Sequence, residues 1–132
     1  TLRACEQMLK PGVVIKDYQE QVGLKVQEEL LALDLITQKD VDDQDEEKPA
    51  YKKYFMHGTS HHLGLDVHDV GDNWAPVREV MVFTIEPGIY IRVEIFCCRL
   101  ENDYLITADG ALNLMEDIPI EADEIEELMN NA

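Results

Sequence analysis

The histidines of this chain are concentrated in one short stretch, and that stretch restricts most strongly what the rest of the chain must build. All four lie within FMHGTSHHLGLDVHDVG at residues 55–71, among glycines and small polar residues. Histidine is the commonest neutral metal ligand and the usual proton carrier near pH 7. Four such rings in so short a stretch are hard to assign to packing alone. The stretch therefore predicts a site of chemistry.

One of the four rings has a simpler interpretation. His62 is followed by the apolar Leu63, so we interpret it as an ordinary, partly buried or surface residue. His57, His61 and His68 remain as candidates for ligation, hydrogen bonding or proton transfer, because histidines with perturbed properties cluster at functional sites.

The balance of charge excludes several classes of partner. The chain has 132 residues and a formal net charge of −17, which would repel phosphate backbones and anionic lipids, so nucleic-acid binding is not expected. A membrane-spanning helix needs about eighteen consecutive apolar residues, and no apolar run in the chain approaches this length, so a membrane location is not expected. The chain has no signal-like start, so secretion is not expected either. With 45% hydrophobic residues, the chain can form the core of one globular domain.

The cysteines favour a reducing compartment. There are three, an odd number, and Cys97 and Cys98 are adjacent, which is a poor geometry for a structural disulfide. We interpret these two as small strand residues in an apolar run and not as soft metal ligands. A cytoplasmic location is therefore expected.

The first third of the chain predicts two helices. The first would bury Leu2, Cys5 and Leu9 and would end at Lys10-Pro11-Gly12. Asp17 is predicted to be the N-cap of the second helix, with Glu20 completing a capping box. The buried face of that helix would comprise Tyr18, Val22, Val26, Leu30 and Leu33.

The acidic segment at residues 37–53 has no clear periodicity and is predicted to be a surface loop. Six aspartates and glutamates fall between Asp40 and Glu47. The calcium-binding EF-hand pattern, with its central glycine and terminal glutamate, is absent, so a solvated loop is a better interpretation than a calcium site.

The second half of the chain predicts mainly strands. We expect strands at residues 80–85, 89–95 and 99–106, and a turn at 108–110 that leads into a hairpin. A short acidic helix at residues 121–129 would close the chain, with three apolar side chains directed inward: Ile125, Leu128 and Met129.

Two glutamates on these strands are candidate metal ligands. Glu86 ends an apolar strand, where an unpaired carboxylate would cost several kcal/mol to bury, so it needs a cation as partner. Glu101 is predicted to share a strand face with Arg99, and its simplest interpretation is a surface residue paired with that arginine. With His61 the two glutamates form a set of nitrogen and oxygen ligands suited to Mn, Co, Zn or Fe. The three side chains are predicted to converge on one point.

Three motifs, HGTSHHLGLDVHDVG, VFTIEPGIYI and RLEN, occur in this order and at a characteristic spacing. Together with the closing NLMEDIPIEADEIEELMN, they closely resemble the C-terminal catalytic region of Xaa-Pro aminopeptidases (aminopeptidase P), which are pita-bread metallopeptidases. The resemblance covers essentially the whole chain. It implies an α+β fold in which helices cover a curved antiparallel sheet, and it implies that residues 1–132 are the C-terminal part of a catalytic domain.

The resemblance also implies an activity. Such enzymes release the N-terminal residue from peptides with proline in second position, by attack of a metal-bound hydroxide at a dinuclear site that usually holds two manganese ions. His61 and Glu86 would bind one metal, and Glu101 would bridge both. Peptides are the implied partners, and the full-length protein is expected to be a homo-oligomer.

The remaining residues of the motifs receive catalytic roles from the same resemblance. Glu86 would also shuttle a proton, His57 and His68 would line the substrate pocket, and Arg99 would orient Glu101. Two further aspartate ligands are expected on strands that precede this chain, so the chain alone is expected to be inactive. Residues 93–98 depart from the pattern of the family, which has a polar, glycine-containing segment there.

Two other functions stay open at this point. A prolidase, which cleaves only Xaa-Pro dipeptides, shares most of the motifs and differs in the length of its substrate. A catalytically silent pita-bread domain used for binding is the other alternative, because the aspartates are absent from the chain.

Overall fold

The fold combines four α-helices with five strands in the computed structural model, which describes residues 1–131. The helices are α1 (Leu2–Met8), α2 (Ile15–Ala32), α3 (Gln38–Asp42) and α4 (Ala122–Asn130). The strands are β1 (Val82–Ile85), β2 (Gly88–Ile91), β3 (Phe96–Arg99), β4 (Asn102–Thr107) and β5 (Gly110–Asn113). Short 3-10 helices occupy Ala50–Lys53 and Arg92–Glu94. None of the described helices is both long and apolar enough to cross a bilayer.

The strands form two antiparallel groups. One sheet has the order β1-β4-β5, and β2 pairs with β3 as a separate hairpin. The histidine stretch extends the first sheet, because residues 59–63 run antiparallel to β1 on the side away from β4. Three backbone hydrogen bonds hold it there, at 2.8 to 3.1 Å: Glu86 N–H to Thr59 O, Thr84 N–H to His61 O, and Leu63 N–H to Val82 O. Strand β1 is therefore the middle of three adjacent extended segments.

Alternation along β1 separates the core from the opposite face. Phe83 and Ile85 are fully buried, and Phe83 is the direct cross-strand partner of Tyr104 on β4. The buried apolar side chains of α1 and α2 complete this core. Thr84 lies between Phe83 and Ile85 and therefore points to the other face of the sheet, away from this core.

The predicted helices α1 and α2 are present, but the start of α2 differs from the prediction. Its N-cap is Val14, which forms no side-chain capping bond, and Asp17 lies in the first turn. The capping-box prediction for Asp17 and Glu20 is therefore wrong. The reason is tertiary: backbone pairing of Val14 with Pro76 keeps the chain extended up to this residue, and the helix begins immediately after it.

The predicted buried face of α2 is confirmed except at its last position. Tyr18, Val22, Val26 and Leu30 are buried, whereas Leu33 is 61% exposed. Because α2 ends at Ala32, Leu33 is the C-cap residue and no longer follows the helical periodicity.

The prediction of a loop for the acidic segment is wrong in part. Residues 38–42 form α3, and Thr37 and Asp40 form a capping box: the Asp40 N–H donates to the Thr37 hydroxyl, and the Thr37 N–H donates to the Asp40 carboxylate. Two hydrogen bonds donated to the Asp40 carboxylate, from the Thr37 hydroxyl and from the Thr37 N–H, lower the pKa of that carboxyl group. The segment is largely exposed, as predicted.

The boundaries of the strands also differ from the predicted ones. Val80 lies outside β1, exposed and with φ of 62°, and the expected strand at 89–95 ends at Ile91. A 3-10 turn and Ile95, at φ of 51°, then reverse the chain into β3, so that Arg99 pairs with Gly88 instead of starting the next strand. The strand assignment of Cys97 and Cys98 is confirmed, and both thiols are exposed and free.

The predictions for the end of the chain are confirmed only in part. The hairpin between β4 and β5 is present, with Gly110 at φ of 131° in its turn. Helix α4 is also present, but its apolar side chains at Ile125, Leu128 and Met129 are exposed, so the prediction that they point inward is wrong. No element among residues 1–131 packs extensively on α4.

Candidate metal centre

The register of the sheet brings the two candidate glutamates opposite each other. Ile85 is paired with Asn102 between β1 and β4. One further step in this antiparallel register places Glu86 across from Glu101. Both side chains lie on the face opposite the buried Ile85, because neighbouring residues of a strand point to opposite faces.

His61 reaches the same face from the other side of β1. It lies across from Thr84, whose N–H donates to His61 O at 3.1 Å, while the His61 N–H donates to the Thr84 hydroxyl at 3.2 Å. Thr84 and Glu86 are two residues apart and share a face. The three candidate ligands therefore stand on one face of three adjacent segments, and His61 Nε2 is 3.4 Å from Glu86 Oε1.

The spacing of the three side chains fits a small cation. One ligand atom from each of His61, Glu86 and Glu101 lies within 4.8 Å of the other two. Two ligands bound at about 2.1 Å to a common ion can be at most about 4.2 Å apart, so a small side-chain rotation would complete the contact. Within the described residues no other group of three such side chains is this close.

The protonation of His61 also fits ligation. Its Nδ1 lies 2.9 Å from the carbonyl oxygen of His62, and a carbonyl can only accept a hydrogen bond. In the neutral ring the proton is therefore on Nδ1, and the lone pair of Nε2 points towards Glu86. A backbone carbonyl commonly fixes the tautomer of a metal-binding histidine in this way. The residues present fit a divalent cation with one nitrogen and two oxygen ligands.

Arg99 bridges the two glutamates. Its Nη1 lies 3.0 Å from Glu86 Oε2, and its Nη2 lies 3.0 Å from Glu101 Oε2. The Glu86 side chain is only 12% exposed, so this guanidinium compensates much of the cost of its burial. The predicted pairing of Glu101 with Arg99 is confirmed, and the additional contact with Glu86 was not foreseen. The contact leaves Oε1 of Glu86 facing His61.

His57 is held in place by a residue that sequence reasoning missed. The Tyr90 hydroxyl lies 2.8 Å from His57 Nε2, and His57 Nδ1 lies 2.7 Å from the Gly58 carbonyl. With the proton on Nδ1, Nε2 accepts from the tyrosine O–H. The Tyr90 ring packs over Gly88, on the same side as the Cβ atom of Arg99. The only sequence signal was its place in GIYI, two residues after Glu86-Pro87-Gly88.

The other two histidines have different surroundings. The exposed His68 ring lies against that of His61, with 4.4 Å between centroids. His62 packs on Phe83 instead, at 4.3 Å, and burial lowers its pKa. Gly71 must be a glycine for this packing, because a Cβ there would lie 1.9 Å from the His62 ring. His62 is thus a packed residue, in agreement with the sequence interpretation.

A cavity of about 540 Å³ lies beside His57. Its lining includes Tyr51, Met56 and Trp74, and the Lys16 ammonium lies 5.0 Å from the centre of the Trp74 ring. A volume of this size is typical of small-ligand sites. His57 therefore borders a space that a small ligand could enter.

Comparisons with known proteins show which family the chain resembles. The sequence profile of metallopeptidase family M24 matches residues 1–108. An Xaa-Pro aminopeptidase of Haemophilus influenzae is 37% identical over 140 residues, which cover 97% of this chain and 32% of that protein. A Bacillus subtilis relative named as a dipeptidase is 43% identical over 74 residues, covering 53% of this chain and 20% of its own length.

Solved structures agree with this result. Zinc-substituted aminopeptidase P of E. coli, in complex with product, superposes with a TM-score of 0.80 at 31% identity, over 98% of this chain and 32% of that chain. The fold is thus the pita-bread fold of aminopeptidase P, as the motifs indicated. The chain spans about a third of the length of these aminopeptidases.

Proposed function

Because this chain belongs to metallopeptidase family M24, we propose that it is the C-terminal part of the catalytic domain of an Xaa-Pro aminopeptidase. The protein that carries it would release the N-terminal residue from peptides with proline in second position. The names of the relatives that match nearly the whole chain support this activity. The chain spans only about a third of those relatives, so the activity is proposed for the longer protein.

The convergence of His61, Glu86 and Glu101 is the observation that carries this proposal. Three adjacent extended segments supply one residue each, and the register of the sheet brings them together on one face. A metallopeptidase needs such a set of nitrogen and oxygen ligands on a rigid support.

The proposed cofactor is a pair of divalent cations, with manganese as the proposed metal and His61, Glu86 and Glu101 as ligands. Such ions would supply an activated water nucleophile near neutral pH and polarise the scissile carbonyl. Two ions need more ligands than these three side chains, and we propose that aspartates from another part of the longer protein complete the set.

Residues of this chain would transfer protons and orient the carboxylates and the substrate. Glu86 would also accept a proton from the attacking water. Arg99, bound to Glu86 Oε2, would hold the carboxylate in position. His57, fixed by Tyr90, would line the substrate pocket, and the exposed His68 would stabilise charge on the carbonyl oxygen of the substrate. Arg99 would keep the two carboxylates in position.

A dipeptidase is the second candidate, and the name of the Bacillus subtilis relative supports it. The two activities differ in whether chain beyond the proline is accepted. A prolidase would cleave an Xaa-Pro dipeptide and leave an Xaa-Pro-Xaa tripeptide intact, whereas an aminopeptidase would cleave the tripeptide.

A cytoplasmic location, supported by the free cysteines, and a homo-oligomeric state are also part of the proposal.

The test measures activity and metal binding in the longer protein that carries this chain. With manganese present, an Xaa-Pro-Xaa tripeptide should be cleaved at the bond before proline, and an Xaa-Ala-Xaa tripeptide should not. Glu101→Gln should lower both the manganese affinity, measured by calorimetry, and kcat by at least about 100-fold. Glu79→Gln, at an exposed residue away from the three ligands, is the matched control. Full activity of Glu101→Gln would refute the ligand assignment.

A further inference from the structure

Thr84 is a polar residue in a strand that is buried on both faces. Its neighbours in β1, Phe83 and Ile85, belong to the hydrophobic core, and Thr84, on the opposite face, is only 2% exposed. Valine has a similar shape and costs less to bury than threonine, because a buried hydroxyl must find a hydrogen-bond partner. The hydroxyl of Thr84 is therefore expected to have a specific role on that face.

His61 is the partner of this hydroxyl. The two residues lie opposite each other, and opposite residues of an antiparallel pair that share one backbone hydrogen bond normally exchange a second. The first of these bonds runs from Thr84 N–H to His61 O at 3.1 Å. The second donor, His61 N–H, binds the Thr84 hydroxyl at 3.2 Å instead of the Thr84 carbonyl. A side chain of β1 thus takes the place of a backbone acceptor.

The hydrogen bonds of His61 fix its polar atoms and leave one of them facing the other ligands. Its N–H and its carbonyl oxygen are both bound by Thr84, and its Nδ1 lies 2.9 Å from the His62 carbonyl oxygen. The remaining polar atom, Nε2, lies 3.4 Å from Glu86 Oε1. The place of Nε2 therefore depends on where Thr84 holds the backbone of His61.

The position of His61 in the chain makes this support important. Residues 64–68, which follow the segment paired with β1, are all exposed, so His61 lies close to a loop that has little packing of its own. A metal ligand must be held within about 0.5 Å of its working position. Without the hydroxyl, the His61 N–H would stay unpaired or would turn to the carbonyl of residue 84, and either change would displace the ring.

We propose that Thr84 is a positioning residue of the candidate metal centre. By accepting the hydrogen bond of the His61 N–H, its hydroxyl fixes Nε2 relative to Glu86 and Glu101. Thr84 acts through His61 and does not itself bind the metal or the substrate. The inference rests on the metal centre proposed above, and it adds to that centre a residue outside the ligand set.

The experiment compares variants of the longer protein that carries this chain. Thr84→Val nearly keeps the shape of the side chain and removes the hydroxyl, and it should weaken manganese binding about 10- to 100-fold in calorimetry. At saturating manganese, kcat for an Xaa-Pro-Xaa tripeptide should fall while KM changes little. Thr84→Ser retains a hydroxyl and should restore most of the manganese affinity.

Thr59→Val is the matched control. Thr59 is also completely buried, and it lies in the segment that pairs with β1. Its hydroxyl, unlike that of Thr84, has no hydrogen-bond partner among residues 1–131. Removing this hydroxyl should leave the manganese affinity unchanged. Equal losses of affinity in Thr59→Val and Thr84→Val would overturn the proposal.

Thermal unfolding of the metal-free proteins separates positioning from a merely structural role. If Thr84 only stabilises the fold, Thr84→Val will lower the unfolding temperature, yet the folded variant will bind manganese as tightly as the unsubstituted protein. That result would overturn the proposal for Thr84 and leave the metal centre intact. If the unsubstituted protein itself binds no manganese, the metal centre of the proposed function is refuted, and the role of Thr84 is refuted with it.

Discussion

At the scale of single residues, Arg99 has the largest influence on the candidate site. Glu86 and Glu101 are like charges facing each other across two strands, and Glu86 is almost buried. The Arg99 guanidinium, with one nitrogen on each carboxylate, places a positive charge between them.

We predict that Arg99→Ala destabilises the metal-free chain by about 1–3 kcal/mol, because it leaves a buried carboxylate unpaired beside another negative charge. Thermal unfolding measures the effect, and added manganese should restore part of the loss, since a bound cation replaces the missing positive charge. Arg92→Ala is the matched control, at an exposed arginine in the turn of the neighbouring hairpin. Equal effects of the two substitutions would show that Arg99 does not support the glutamates.

At the scale of elements, the packing between α2 and the 3-10 helix at Ala50–Lys53 depends on one glycine. Gly23 lies in the middle of α2 and is buried. A Cβ at this position would lie 2.5 Å from the ring of Tyr51. The glycine, which weakens an isolated helix, is therefore explained by the close approach of the tyrosine and not by backbone conformation.

We predict that Gly23→Ala destabilises the chain by about 1 kcal/mol or more, although the same change in an open helix would stabilise it by about 1 kcal/mol. In the Tyr51→Ala background the sign should reverse, because the added methyl group then meets no ring. Chemical denaturation of the four proteins in this double-mutant cycle gives the coupling energy. Gly58→Ala, where the nearest atom is 3.9 Å from the added Cβ, should change stability little. A stabilising Gly23→Ala in the otherwise unchanged chain would contradict the contact with Tyr51.

At the scale of the whole molecule, the chain exposes apolar surface at the tip of one hairpin and at the end of α2. Val93, Ile95 and Phe96 at the tip of the β2–β3 hairpin are exposed, as is Leu33 at the end of α2. An apolar cavity of about 250 Å³ lies between α2 and this hairpin. Contiguous exposed apolar surface commonly marks an interface. The chain also covers only about a third of the aminopeptidases that it matches.

We predict that the 132-residue chain alone shows no proline-specific peptidase activity and associates with itself. The three converging side chains could hold one metal weakly, and they are too few for two. An assay with an Xaa-Pro-Xaa tripeptide and manganese, run beside the longer protein, tests the first part, and size-exclusion chromatography with light scattering tests the second. Similar rates for the two proteins would rule out the two-metal mechanism proposed here.

The sequence by itself determined the parts of this protein that depend on local chemistry and periodicity. The buried faces of α1 and α2, the β4–β5 hairpin and the identity of the three candidate ligands follow from residue type and spacing. The motif resemblance was equally informative, because the order of the histidine and glutamate motifs is specific to the family that the comparisons show.

The tertiary structure alone decided how these parts meet. The start of α2 depends on pairing with Pro76, more than sixty residues away. The contact of Arg99 with Glu86 depends on the pairing of Arg99 with Gly88 between β2 and β3. The hydrogen bond between Tyr90 and His57 joins residues that are 33 positions apart in the sequence. The exposure of α4 also depends on distant elements, since no element among residues 1–131 packs extensively on it. A periodic pattern records only which face of an element avoids water. It does not record which other element covers that face, and the geometry of the site depends on that pairing.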